Sequence, residues 1–182
     1  MSLPQAAVRW LRGGVQPLRG SDEIKSYVAR QLREQGMATF FETGTFRGAT
    51  LSWVAGLGLV RCYSVEYRRS YRILANIRLM GRAKIIGGSS DKVMQSGILG
   101  TLKQPVLFWL DAHWWGGNPL AGEIRAILDW NGDCMVMVDD YDLPEIKKTA
   151  DEMLGLPTEV IGGKLPVGVW NLLKKERVSR SA

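Results

Sequence analysis

The chain is poor in the residues that most often announce chemistry. It has one histidine, His113, and two cysteines, Cys62 and Cys134, in 182 residues. Each cysteine falls inside or at the start of a predicted strand. With the sheet order expected below, three strand spacings of about 4.8 Å separate them, roughly 14 Å in all. That is twice the span a disulfide tolerates, so both are expected to be reduced, buried thiols, as in a cytoplasmic protein. No apolar run approaches the ~20 residues of a membrane-spanning helix, which argues against a membrane partner. The opening segment MSLPQAAVRWLRGGVQPLRG is broken by Arg9, Arg12 and paired glycines, and it lacks the apolar centre of a secretory signal. Residues 1–20 therefore read as a poorly structured or surface-hugging arm. Without an internal repeat, a low-complexity tract or a second domain, residues 21–175 read as one domain and 176–182 as a basic tail.

What is present is ordinary in bulk and uneven in charge. Hydrophobic residues make up 46% and charged residues 23%, a globular balance that can bury a core. The net charge is +6, with basic clusters at Arg68, Arg69, Arg72, Arg78 and Arg82 and in the tail KKERVSR. A solvated helix face with a basic end is the preferred explanation. Attraction to a polyanion such as nucleic acid, or to a negatively charged substrate, is the alternative.

Short apolar runs alternate with amphipathic segments, the pattern of a parallel sheet covered by helices on both faces. Strands are predicted at 38–42, 61–66, 83–87, 106–111 and 134–139, with helices between them. The first helix runs from Ser21 as N-cap to Gly36, with Ile24, Val28 and Leu32 on one stripe. The helix after 61–66 is expected to face Ile73, Leu74, Ile77 and Met80 inward. Asn118 caps the helix of NPLAGEIRAILDWNG, and Asp142 with Glu145 stands at capping-box spacing before the last helix. The runs 158–163 and 167–175 are separated only by Lys164, Leu165 and Pro166, too few residues for a helix, so they predict an antiparallel hairpin. The expected fold is α/β: a Rossmann-like three-layer sandwich with a mostly parallel seven-stranded sheet and a C-terminal antiparallel hairpin.

In such a sheet, ligands bind beyond the carboxyl ends of the strands. The first strand ends in Glu42, Thr43, Gly44, Thr45, Phe46, Arg47 and Gly48. This run is either an anion-friendly helix entrance or a plain tight turn, and Phe46 stands where nucleotide folds place a middle glycine. The second strand ends in Glu66, placed to bind ribose hydroxyls, and Tyr67 can stack on a base. After the third strand, Gly88, Ser89 and Ser90 border an adenine edge, or the serines cap the helix at Asp91. The fourth strand ends in Asp111, also next to the cofactor position, and the fifth in Asp139 and Asp140. Two unit charges 4 Å apart repel by about 4 kcal/mol at an effective dielectric of 20. Three such carboxylates need a cation, a shared proton or nearby arginines. All-oxygen ligation favours Mg²⁺, with Mn²⁺ or Ca²⁺ as substitutes. His113, just past Asp111, is either structural or a base near neutral pKa. Trp114 and Trp115 line a pocket or cover the sheet end.

Together the acid–small–Gly loop, the second acid, the Gly/Ser-Ser turn and the closing hairpin resemble the class I S-adenosylmethionine-dependent methyltransferases over residues 38–175. Asp111 with Asp139 and Asp140, and the segment VDDYDLPEIKKTADEML, are most similar to the metal-dependent O-methyltransferases of the catechol and macrocin type. The resemblance implies that Glu42 and Gly44 contact the methionine end, Glu66 the ribose, and Tyr67, Ser89 and Ser90 the adenine. It implies that Asp111, Asp139 and Asp140 hold the metal; beside it, the residues themselves offer His113, or Asp111 if no metal is used, to take the proton of a small-molecule or glycoside-type hydroxyl. The chain departs from the pattern at Phe46, in offering His113 where catechol-type enzymes have lysine, and in lacking lid helices. A second subunit completing the site, a non-catalytic cofactor-binding module that holds nucleic acid or a protein, and an NAD-linked oxidoreductase remain as alternatives.

Overall fold

The computed structural model describes residues 15–113 and 118–174. Seven strands form one sheet: β1 (Thr39–Thr43), β2 (Arg61–Glu66), β3 (Lys84–Gly87), β4 (Val106–Leu110), β5 (Cys134–Val138), β6 (Glu159–Ile161) and β7 (Val167–Leu172). Their order is β3-β2-β1-β4-β5-β7-β6. The first five are parallel, and β7 lies antiparallel to both β5 and β6. The helices are α1 (Asp22–Glu34), α2 (Ala49–Gly56), α3 (Arg69–Leu79), α4 (Ser90–Gln95), α5 (Leu120–Trp130) and α6 (Pro144–Leu154), with 3-10 turns at Pro17–Gly20 and Ile98–Thr101. The Rossmann-like sandwich with its antiparallel end is therefore the observed fold. Trp114, Trp115, residues 1–14 and the tail from residue 175 lie outside the described residues.

The layers follow from side-chain alternation along strands buried on both faces. Phe40, Leu107, Trp109, Met135 and Met137 point to the side covered by α1, α2 and α3. Phe41, Phe108, Leu110, Val136 and Val138 point to the side of α4, α5 and α6. Ser21 caps α1 as expected, its Oγ accepting from Ile24 N–H at 3.2 Å. Asn118 Oδ1 likewise accepts from Leu120 N–H at 3.1 Å. Cys62 and Cys134 are buried and free.

Two local expectations are corrected. Of the four α3 residues expected inside, Ile73, Ile77 and Met80 are exposed, and the helix buries Ala75 and Leu79 instead. The reason is a close approach: a Cβ built on Gly48 would lie 3.0 Å from Ala75 Cβ, so only a small residue fits where α3 crosses the turn before α2. The Asp142–Glu145 capping box does not form, because Pro144 sets the first helical position and makes Leu143 the cap.

The arm also ends differently from its sequence reading. Leu18 is 1% exposed and packs in the core beside α1 and α2. Its N–H donates to Thr50 Oγ1 at 3.1 Å. Leu18→Ala is therefore expected to cost about 2–5 kcal/mol in urea unfolding. A change within about 0.5 kcal/mol, typical of a surface site, would show that the segment is not part of the core.

Beneath the strand ends lie two buried acids. Glu42 accepts from Ser64 Oγ at 2.9 Å, and that hydroxyl lies 2.5 Å from Thr45 Oγ1. Burial pushes Glu42 well above the ordinary carboxylate range, only partly offset by this hydrogen bond. On the other face of the sheet Glu123 is 1% exposed. Burial pushes it up to about 7, against the lowering effect of the Ser90 and Thr43 hydroxyls beside it. A carboxyl whose folded pKa is raised stabilises the fold fully below its unfolded pKa, and that contribution is lost as pH rises through the folded value. For Glu123 the loss spans about pH 4.5 to 7 and amounts to about 3 kcal/mol. Unfolding midpoints at about pH 5 and about pH 8 should thus fall more steeply for the native chain than for Glu123→Gln. Equal falls would contradict the assignment.

Candidate functional site

Where β1 and β4 end, their backbones touch. A Cβ on Gly44 would sit 2.1 Å from the carbonyl oxygen of Asp111, so only glycine permits the approach. Gly44 has φ +78, and its N–H donates to Val65 O at 3.0 Å. Asp111 N–H donates to Thr43 Oγ1 at 3.2 Å. The ends of β1, β2 and β4 are thereby drawn together around one opening.

The opening leads into a cavity of about 290 Å³ lined by Gly44, Phe46, Glu66, Tyr67, Gly88, Ser89, Ser90, Asp111 and His113, together with Val65, Arg68, Tyr71, Ala112 and Pro119. Its size is near the lower end for small-molecule sites. Glu66 anchors one wall: one oxygen accepts from Phe46 N–H and the other from Arg68 N–H, each at 2.7 Å. Each carboxylate oxygen retains accepting capacity after one such bond. Phe46 has φ +48, so it adopts the left-handed conformation that a glycine would take at this point, with its ring 4.6 Å from that of Tyr71. Tyr67 is exposed at the rim, and Ser89 Oγ hydrogen-bonds Asp91 Oδ1.

The other loop residues go elsewhere. Thr43 is buried and Gly48 packs on Ala75. Arg47 lies over the Phe46 ring at 5.5 Å and its carbonyl accepts from Arg78. Glu42 and Thr45 line a second cavity of about 420 Å³ that shares Gly44, Phe46 and Asp111 with the first and is closed by Leu18, Arg19 and Asp139.

The acidic cluster forms, but with a regrouping. Asp111, His113 and Asp140 each offer a ligand atom within 4.8 Å of the others. His113 Nε2 lies 3.2 Å from Asp140 Oδ2 and 3.9 Å from Asp111 Oδ1. Asp139 is fully buried beside them, and its Oδ2 lies 2.9 Å from Arg19 Nε. Its Oδ1 accepts the N–H of Asp140 at 3.0 Å. Arg19 also reaches Asp140 Oδ1 through Nη2. Of the three forms of relief open to converging carboxylates, the structure supplies an arginine, Arg19, to Asp139 and Asp140. Its position in the PLRG stretch carries no local signal, because its partners lie about 120 residues downstream.

Electrostatics separates the roles. Burial raises the Asp111 carboxyl, and the Asp139 charge adds to this against the opposing pull of Arg19. Burial lifts Asp139 to about 6 while Arg19 pulls it down. His113, expected near neutral pKa, is lowered to about 4 by burial and by Arg19. At pH 7 it is a neutral imidazole, the form that ligates metals. Its Nε2 is buried without a hydrogen bond. A buried, unsatisfied nitrogen beside two carboxylates fits a divalent cation, and a cavity walled by Glu66 and Tyr67 fits a nucleoside.

No protein-family model and no curated protein sequence matches this chain. Among solved structures, it is similar to an O-methyltransferase from Bacillus cereus in complex with S-adenosylhomocysteine, at 15% identity over 91% of this chain and 87% of that one, TM-score 0.65. A putative caffeoyl-CoA O-methyltransferase from Staphylococcus aureus aligns at 11% identity over 93% and 91%, TM-score 0.66. A precorrin-6y C5,15-methyltransferase from Geobacter metallireducens aligns at 14% identity over 86% and 92%, TM-score 0.59. With seven strands in the order set out above, the chain has the fold of the class I S-adenosylmethionine-dependent methyltransferases.

Proposed function

We propose that the protein is an S-adenosylmethionine-dependent O-methyltransferase, assisted by a divalent cation, Mg²⁺ first, and acting on a small hydroxylated acceptor. The observation that carries this reading is the adjacency of two sites: the cavity walled by Glu66 and the cluster Asp111–His113–Asp140 share the Asp111 and His113 lining. Glu66 would accept the ribose hydroxyls on the lone pairs its loop amides leave free, and Tyr67, Ser89 and Ser90 would surround the adenine. Gly44 lines both this cavity and the neighbouring one that holds Glu42 and Thr45, so the methionine arm would pass beside it toward those residues.

The cofactor supplies a methyl group on a sulfonium, and a bound cation would lower the pKa of the acceptor hydroxyl. Asp111, Asp140 and His113 Nε2 would hold that cation. With its pKa near 4, His113 is a weak base and a good ligand, so the proton of the acceptor falls to Asp111. The larger contribution of the chain is to fix donor and acceptor within attack distance, worth about 7–11 kcal/mol when the alignment is good.

Calorimetric titration with S-adenosylhomocysteine tests the cofactor, first with Mg²⁺ and then with chelator. Glu66→Ala should weaken binding by about 10–100-fold, the range for hydrogen bonds to a charged group. Asp140→Asn should abolish the Mg²⁺ heat and leave the nucleoside heat in place. Absence of nucleoside binding under both conditions would sink the methyltransferase reading. A chelator-insensitive methyl transfer would sink its metal-assisted part.

A further inference from the structure

Asp140 divides its two carboxylate oxygens between two partners. Oδ1 meets the guanidinium of Arg19, while Oδ2 faces His113 Nε2 at 3.2 Å. Such a split does not arise from Asp140 alone. The residue has φ +53, a left-handed conformation that aspartate tolerates but does not prefer. It is held there from two sides: its N–H is bound by Asp139 Oδ1 at 3.0 Å, and its side chain is gripped by Arg19. Arg19 also holds the far oxygen of Asp139, with Nε 2.9 Å from Oδ2. One guanidinium therefore ties the two consecutive aspartates into a fixed pair.

Arg19 is itself built into place. Leu18 and Arg19 both have positive φ, 49 and 55, and the turn is anchored by the buried Leu18 side chain, by Leu18 N–H on Thr50 and by Ser21 N–H on Leu18 O at 3.1 Å. A flexible surface arginine would not be set in a strained turn with its neighbour in the core.

From this geometry we infer that Arg19 is a positioning residue, which takes Asp140 Oδ1 so that Oδ2 is presented, with His113 and Asp111, to a divalent cation. The inference rests on the cation site of the proposed function and not on methyl transfer. The cluster has an independent mark of a ligand site, the nine-tenths-buried His113 Nε2 that lacks a hydrogen bond and points at the two carboxylates. Asp139 braces the pair from behind: its Oδ1 accepts the Asp140 amide and its Oδ2 faces Arg19 Nε. Lysine could supply the charge but not the planar fork that spans two carboxylates.

The test uses the full chain without cofactor or acceptor. Mn²⁺ affinity is read by electron paramagnetic resonance for the native chain and for Arg19→Lys, which keeps the charge and loses the fork. Binding should weaken by about 10–100-fold, as when an outer partner of a metal ligand is removed, with thermal unfolding checked separately. Equal affinities would overturn the inference and leave the cation site standing. In parallel, the Arg19 Nη2–H resonances of the native chain, which report the contact with Asp140 Oδ1, should stay protected from solvent exchange when Mg²⁺ is added, because guanidinium and ion use different oxygens. Loss of that protection would mean that the ion and Arg19 exclude one another, which also overturns the inference, and this arm decides alone if Arg19→Lys does not fold. No Mn²⁺ binding by the native chain would remove the cation site and the inference together, whatever the nucleoside titration shows.

Discussion

The contact on which the site depends is between two backbones. Gly44 at the end of β1 and Asp111 at the end of β4 approach so closely that no side chain fits between them. β1 and β4 are the central strands, and every residue of both is buried, so their ends cannot separate without opening the core. That rigidity places the Asp111 side chain at a fixed point, between the cavity of Glu66 and the cavity closed by Arg19. The same contact makes Gly44 a structural necessity whether or not a cofactor ever touches it. The fold alone imposes glycine here.

Once the strand ends are fixed, six carboxyls crowd one edge of the sheet: Glu42, Glu66, Asp111, Glu123, Asp139 and Asp140. Each ionised pair at about 4 Å would cost several kcal/mol, and the fold relieves the crowding in three ways. Burial raises the pKa values of Glu42 and Glu123, against the pull of the hydroxyls beside them, and favours their neutral forms. Glu66 is bound by two backbone amides. Asp139 and Asp140 share Arg19. Asp111, with a raised pKa and, among the described residues, an ion-pair contact with His113 at 3.9 Å, is the least compensated member. The incomplete relief therefore falls at the mouth of the Glu66 cavity, which Asp111 lines.

The strands and the closing hairpin were legible because they rest on local alternation and on one connection too short for a helix. Glu66, Asp111 and Asp140 were legible because strand ends in an open parallel sheet converge by construction. The inward face of α3 was not. Ile73, Ile77 and Met80 carry the apolar pattern, but the helix phase is set by the close pass of Ala75 over Gly48. Arg19 was not legible either, since a single arginine in a Pro/Gly-bounded stretch looks like solvent-exposed charge until the chain brings the fifth strand to it. His113 was found by position, but its lowered pKa depends on how deeply the loop buries it.

Phe46 marks the point where local rule and tertiary structure disagree and both can be weighed. A non-glycine residue in the left-handed region costs on the order of 1–3 kcal/mol. A hydrogen bond to a charged group contributes about 1.5–3 kcal/mol, and Phe46 N–H makes one to Glu66 at 2.7 Å. The two terms are of the same size, and the edge contact with Tyr71 tips the balance. The loop therefore keeps the path that a glycine would give it, while a phenyl ring stands at the rim where glycine would leave a gap. Glu66 is held by the same loop it stabilises, so its readiness to meet a ligand and the shape of the loop are one property of the fold.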